Sequence, residues 1–174
     1  QDEKILQDAL ALCDKYEKIF SRTRTDSEIY LLNEGKLPQE DGYYILSEEC
    51  AELIEKGLYY SELSGVAFDI TIEPLSSLWD FTSGEKQIPD PQTLAEAQKH
   101  VGYEKVELKG NKIRFQEDGM GLELGAIAKG YIADKIKAFL ISKGIESAVI
   151  DLGGNVLCIG GRPDGEAFRG GIQK

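Results

Sequence analysis

Gly125, Ala126, Lys129 and Gly130 are the residues whose types and spacing most directly suggest chemistry. Small residues at 125 and 126 would let a ligand approach the backbone at a helix start, where the first N–H groups have no partner inside the helix. The positive end of the helix dipole favours an anion there. Lys129 falls in the predicted first turn, where the same dipole disfavours a cation, and a negative ligand would remove that conflict. The combination points to a phosphate-bearing ligand. A plainer reading stands beside it: the two glycines simply allow a helix to pack closely on a sheet. The glycine spacing is P-loop-like, but no Gly-Lys-Ser/Thr follows and there is no G-x-G-x-x-G, so neither nucleotide signature applies.

A second group lies in Gly65–Pro74. Val66, Phe68, Ile70 and Ile72 alternate with Ala67, Asp69, Thr71 and Glu73, a strand-like period that would turn two carboxylates and a hydroxyl to one side. An exposed polar strand face explains that pattern equally well. Asp69 could serve only to cap backbone N–H groups. Asp151, before Gly153-Gly154, reads as a turn former, Asp134 as a helix-surface residue, and Trp79 as core.

Composition narrows the classes. The chain has 174 residues and a formal charge of −11, with most of the acidic excess in the N-terminal third. Such a surface disfavours nucleic acid, whose binding needs Lys and Arg against phosphates. No apolar run approaches the roughly 18 residues of a membrane span. The start, Gln-Asp-Glu-Lys, is unlike a signal peptide. Cys13, Cys50 and Cys158 are scattered without C-x-x-C spacing, which argues against zinc and a disulfide framework and predicts three core thiols. With His100 the single histidine, a His-based metal site or a Ser-His-Asp triad is improbable.

The elements that must position these residues are mostly helical at first. Residues 3–20 carry an amphipathic stripe of Ile5, Ala9, Leu12, Cys13, Tyr16, Ile19 and Phe20. A polar loop, 21–27, leads to a short helix 28–33 capped by Ser27 or Asp26, which Gly35 and Pro38 terminate. Ser47 caps a helix to about 63–64, followed by Gly65. Pro74 opens a helical turn through Trp79, and Asp90-Pro91 starts a helix to about Val101, stopped by Gly102. Residues 105–109 and 112–115 flank Gly110-Asn111 as a β-hairpin. Residues 122–124 read as a short buried strand feeding the helix after Gly125, which ends near Gly144. Strands are predicted at 147–152, from 155 to 159 and from 167 onward, with a turn at 161–165. Hairpins with one strand–helix–strand unit give a single α+β domain, not a doubly wound sheet.

Four ordered segments together resemble the ApbE family of FAD:protein FMN transferases. They are Phe20-Ser21-Arg22…Asp26-Ser27-Glu28…Leu32-Asn33; Ala67-Phe68-Asp69-Ile70-Thr71-Ile72-Glu73-Pro74-Leu75…Leu78-Trp79; Glu123-Leu124-Gly125-Ala126-Ile127-Ala128-Lys129-Gly130-Tyr131…Asp134; and Asp151-Leu152-Gly153-Gly154-Asn155 with Arg162-Pro163-Asp164-Gly165…Phe168-Arg169…Ile172. Each alone is weak, but their order and spacing cover nearly the whole chain.

The resemblance implies an ApbE-like α+β domain that binds FAD and Mg2+ and moves the FMN half of FAD to a threonine hydroxyl of a target flavoprotein, releasing AMP. Two alternatives stay open: FAD pyrophosphatase activity giving FMN and AMP, and a flavin-binding module without catalysis. By motif position, Ala67, Phe68 and Asp69 would line the flavin nucleotide, Glu123 and Lys129 would contact FAD, and the Ala126 carbonyl would face the metal. Thr23 stands where an aromatic that can stack on flavin is common, and Glu123 where aspartate is common. The resemblance also implies that the remaining metal ligands lie beyond Lys174 and that a short first strand precedes Gln1. It places such proteins on the extracytoplasmic face of the cell membrane, often lipid-anchored, with any signal upstream of Gln1. No residue stands out as the general base.

Overall fold

In the computed structural model, which describes residues 2–79 and 88–171, the chain divides into two units, Gln1–Tyr16 with Ala128–Lys174, and Glu17–Ile127. The first unit holds most of helix α1 (Asp2–Phe20) and of α6 (Gly125–Ser142), with the antiparallel pair β5 (Ala148–Asp151) and β6 (Val156–Ile159). Its core is Ala9, Ala133, Ile136, Ile150 and Ile159, to which Leu12, Cys13, Phe139 and Leu157 add partly buried surface. The Tyr16 and Tyr131 rings meet edge to face, 5.9 Å between centroids. The expected amphipathic stripe of α1 is the face that is covered, with Leu6 and Leu10 left outside.

Only one face of the β5–β6 ribbon is covered. Ile150 and Ile159 are buried, while their neighbours Val149, Val156 and Cys158 face solvent, as period-2 alternation requires. Cys158 is therefore not the core thiol its apolar surroundings predicted. Cys50 is buried, and burial pushes its thiol pKa far up, so it is inert. Cys13 is half-covered, and its pKa is likewise raised by burial. Gly160 closes this unit's return: its φ is +58°, and a Cβ there would overlap the Glu146 carbonyl oxygen. Residues 167–171 form no strand, contrary to the alternation, and Ile172 lies outside the described residues.

The second unit contains α2 (Glu28–Asn33), α3 (Glu48–Leu63), α4 (Glu73–Ser76), α5 (Pro91–Gln98) and a four-stranded antiparallel sheet. The strands are β1 (Gln39–Glu40), β2 (Tyr43–Ile45), β3 (Val106–Lys109) and β4 (Lys112–Phe115), ordered β1-β2-β4-β3. The Gly110-Asn111 hairpin forms as predicted, with Leu108 opposite Ile113. Ile29, Leu32, Leu53, Ile54, Ile70, Ile113, Leu122 and Leu124 are sealed from solvent. Each such side chain contributes about 1.5–3 kcal/mol of transfer free energy.

Caps fix the helix ends as the sequence implies. Ser27 and Ser47 accept from Tyr30 N and Cys50 N, and Asp90 accepts from Gln92 N and Thr93 N. Ser47 is itself gripped by Glu28, which accepts from its N–H and hydroxyl at 2.6 Å each. Gly35, Gly65 and Gly144 end α2, α3 and α6 in the same way. At α2 the Lys36 N–H reaches Leu31 O and the Gly35 N–H reaches Leu32 O, and the left-handed φ this needs falls on glycine. Helix α5 stops at Gln98, short of Val101, and turns carry the chain on to Gly102. Trp79 is half-buried instead of central.

Candidate functional site

All contacts described first lie within the second unit. Asn33, the last residue of α2, faces the segment that precedes α6. Its Nδ2 donates to Leu122 O at 3.0 Å, and its Oδ1 accepts from Leu122 N at 2.8 Å. One side-chain amide thus replaces a neighbouring strand. The next residue continues the pairing, with Glu123 N donating to Ile70 O at 2.8 Å. Leu122 and Leu124 are buried and Glu123 between them is partly open, so the alternation at 122–124 is real. The strand expected there is not one, because its partners are an amide side chain and a single carbonyl. Gly121 leaves room for this join: a Cβ would sit 2.7 Å from Glu73 Oε2 and 3.3 Å from Asn33 Oδ1.

The segment after α3 also departs from its predicted strand. The Gly65 turn is followed by Val66 at φ +64°, a costly conformation for a β-branched residue, and Val66 is 65% exposed. Ser64 then supplies Oγ to Phe68 N at 2.9 Å. Asp69 Oδ1 accepts from Thr71 N (2.8 Å) and Thr71 Oγ1 (2.7 Å), while its Oδ2 accepts from Tyr103 N (3.1 Å). The sealed Thr71 hydroxyl accepts from Gly102 N at 2.8 Å. Side chains bonding to nearby backbone divert a chain from a ladder, and here they fold residues 64–72 onto the turn at Gly102–Tyr103. Asp69 and Thr71 therefore meet each other instead of sharing a strand face with Glu73. Asp69 does cap backbone N–H groups.

Between these segments lies a cleft of about 560 Å³. That volume is within the ordinary range of small-molecule sites, roughly 300–1,000 Å³. Ala67, Phe68, Asp69, Glu123 and Ala126 line it, together with Ile72, Gly102 and Glu104. Five of the seven site residues expected from sequence are thus brought together. Thr23 is exposed in the 21–27 loop, 3.4 Å from Ser21 Oγ, and does not line the cleft.

Lys129 belongs to the other unit, where its ammonium is 3.5 Å from Gly153 O, the outer limit of a hydrogen bond. It stands a full turn beyond Gly125, so the dipole conflict read from sequence is weaker than expected. In the same unit Asp151 accepts from Gly154 N at 2.7 Å, shaping the Gly-Gly turn, and Asp134 is exposed on α6.

The helix start itself is already served by the protein. Glu123 Oε1 accepts from Gly125 N at 2.9 Å, and its Oε2 is ion-paired with Arg22 Nε. Burial pushes the Glu73 carboxyl above its ordinary range; Arg22 opposes this, and the Glu123 and Glu34 carboxylates reinforce it. Among the described residues lining the cleft there is no Lys or Arg, and its carboxylates can accept from hydroxyl or N–H groups of a ligand. Among the described residues no three His, Cys, Asp or Glu side chains stand close enough to hold a metal. The helical Ala126 carbonyl does not make a magnesium site alone, since that ion takes six oxygens.

Arg22, Asn33, Thr71 and Gly102 are what residue-by-residue reading missed. Arg22 and Asn33 sit inside the first motif, but nothing local reveals their partners, Glu123 and Leu122, far along the chain.

The α+β fold, with residues of two of the ordered motifs lining one cleft, is that of solved flavin transferases. The flavinyl transferase ApbE of Pseudomonas stutzeri, in its apo form, superposes with a TM-score of 0.86 at 26% identity, over 99% of this chain and 54% of that one. The profile of the ApbE family matches residues 1–174, and the chain belongs to that family. A FAD:protein FMN transferase of Treponema pallidum (strain Nichols) is 32% identical over 164 residues, 89% of this chain and 44% of the relative. One from Klebsiella pneumoniae (strain 342) is 31% identical over 163 residues, 91% of this chain and 50% of the relative. The chain spans about half the length of the curated relatives it matches.

Proposed function

We propose that the intact protein is a FAD:protein FMN transferase, of which residues 1–174 form part of one flavin transferase domain. A threonine oxygen of a target flavoprotein attacks the FMN phosphorus, the pyrophosphate bridge breaks, and AMP leaves with the bridging oxygen. The threonine proton passes to a base that the described residues do not single out. The observation that carries this reading is the convergence of Ala67, Phe68, Asp69, Glu123 and Ala126 on one cleft, in a chain matched along its length by the family profile. Phe68 and Ile72 offer apolar wall to a planar ring, and Asp69 and Glu123 offer acceptors to nucleotide donors. Lys129, in the other unit, is assigned to FAD on the resemblance alone.

Magnesium dependence is part of the proposal and rests on the resemblance; its side-chain ligands would come from outside the described residues. The extracytoplasmic face of the membrane, with a lipid anchor, is proposed on the same ground. No helix among the described residues is long and apolar enough to cross a membrane.

Flavin fluorescence titration of the intact protein with FAD, with and without magnesium, tests the reading. FAD should bind, and Lys129→Ala should weaken it about tenfold, the worth of one charge-assisted contact. Mixing with FAD and an acceptor flavoprotein should then give covalently flavinylated acceptor and AMP. Free FMN with unmodified acceptor would select the pyrophosphatase instead. Failure to bind FAD would end both readings.

A further inference from the structure

We infer that Arg22 is a positioning residue that holds the Glu123 carboxylate ready to accept hydrogen bonds from the nucleotide; this rests on the flavin reading above. Glu123 lines the cleft, whereas Arg22 is not among the lining residues and stands behind it. The Arg22 Nε pairs with Glu123 Oε2 while the Gly125 N–H holds Oε1 at 2.9 Å, so both oxygens are anchored from the protein side. Each carboxylate oxygen has two acceptor positions, which leaves one on each for a ligand. Such a carboxylate selects hydroxyl and N–H donors, the ribose and base parts of a nucleotide, and repels phosphate.

Arg22 also answers a local excess of negative charge. Glu73, Glu123 and Glu34 all act on this neighbourhood, and Arg22 is the cation acting on Glu73. Both side chains of the Arg22–Glu123 pair are only 24% exposed, so solvent replaces the guanidinium poorly. Without it, the Glu123 carboxylate keeps only the Gly125 N–H as an anchor, turns from the neighbouring carboxylates and stops accepting from the ligand. Asn33 fixes the backbone on one side of Glu123, and Arg22 fixes the side chain.

A double-mutant cycle on FAD affinity in the intact protein tests this, using Arg22→Met, which keeps the aliphatic bulk, with Glu123→Gln and the pair. Each single change should weaken FAD binding about tenfold, and the double variant should be no weaker than Glu123→Gln alone. Arg22→Lys should recover part of the loss. A scaffold role for Arg22 would instead lower thermal stability in both backgrounds and multiply the losses to about a hundredfold. That result, or wild-type binding by either single variant, overturns the inference and leaves the flavin reading standing if the parent binds FAD. A parent that does not bind FAD overturns both.

Discussion

Asn33→Ala should cost about 2–4 kcal/mol of folding free energy, a large loss for one exposed-looking polar residue at the end of a short helix. The substitution strips partners from both Leu122 N–H and Leu122 C=O, and Leu122 is fully buried. Each orphaned group costs about 1–3 kcal/mol, because water cannot reach it. Asn33→Asp separates the two halves of the clamp. It keeps an acceptor for Leu122 N–H but sets a carboxylate oxygen against Leu122 O. At neutral pH it should be as damaging as alanine. Below about pH 4 its protonated carboxyl can donate to Leu122 O again, so part of the loss should return. Urea unfolding of the three proteins at pH 7 and pH 4 measures this. Alanine within about 0.5 kcal/mol of the parent would mean that the clamp contributes little to stability.

Asp69→Asn should be the other large effect, although the two side chains have the same shape. The Asp69 carboxylate accepts on both oxygens, from Thr71 on one and from Tyr103 N on the other. An asparagine that keeps the Thr71 bonds turns its NH2 toward the Tyr103 N–H, donor against donor. A loss of about 2–3 kcal/mol follows, and FAD affinity should fall at least about tenfold as the cleft wall at 67–69 loosens. Thr71→Val gives the contrast, since it removes the hydroxyl that bridges Asp69 to Gly102 N and leaves the carboxylate in place. If Asp69 acts by shaping the wall, both variants lose stability and FAD binding together. If its carboxylate also touches FAD, Thr71→Val keeps most of the affinity and Asp69→Asn does not.

What the sequence made legible was local. Ser27, Ser47 and Asp90 cap the helices assigned to them, and Gly35, Gly65 and Gly144 end theirs, because these signals act within one turn. The hairpin at Gly110-Asn111 is local too. The misread segments are those whose partners are distant or whose side chains compete with the ladder. Val66–Glu73 has the period of a strand, but Ser64 and Asp69 bind its backbone and curl it, and Thr71 ties it to Gly102. Leu122–Leu124 has the burial of a strand and a side-chain amide for a neighbour. Cys158 looked internal because alternation cannot tell a ribbon covered on one face from one covered on both.

The candidate site was legible as residue types on motifs and not as an arrangement. Phe68, Asp69 and Glu123 stand out by type, yet only folding shows that Asp69 commits three of its acceptor positions to the wall, leaving one on Oδ2, and that Glu123 already occupies the first N–H of α6. Motif position cannot supply that, because hydrogen-bond capacity already used inside the protein is invisible along the chain.

The Asn33 clamp also bears on the order of events during synthesis. Its two halves lie 89 residues apart, so α2 is complete long before its amide has anything to hold. Closing a loop of that length costs about 4 kcal/mol of chain entropy, which the two bonds cannot meet until the apolar contacts of Leu122 and Leu124 arrive with them. Pulse-labelled hydrogen exchange should therefore find the Leu122 amide protected late, after the amides of α1 and α3. Until then the Asn33 amide and both Leu122 backbone groups bond to water instead of to each other, so the end of this short helix is finished last.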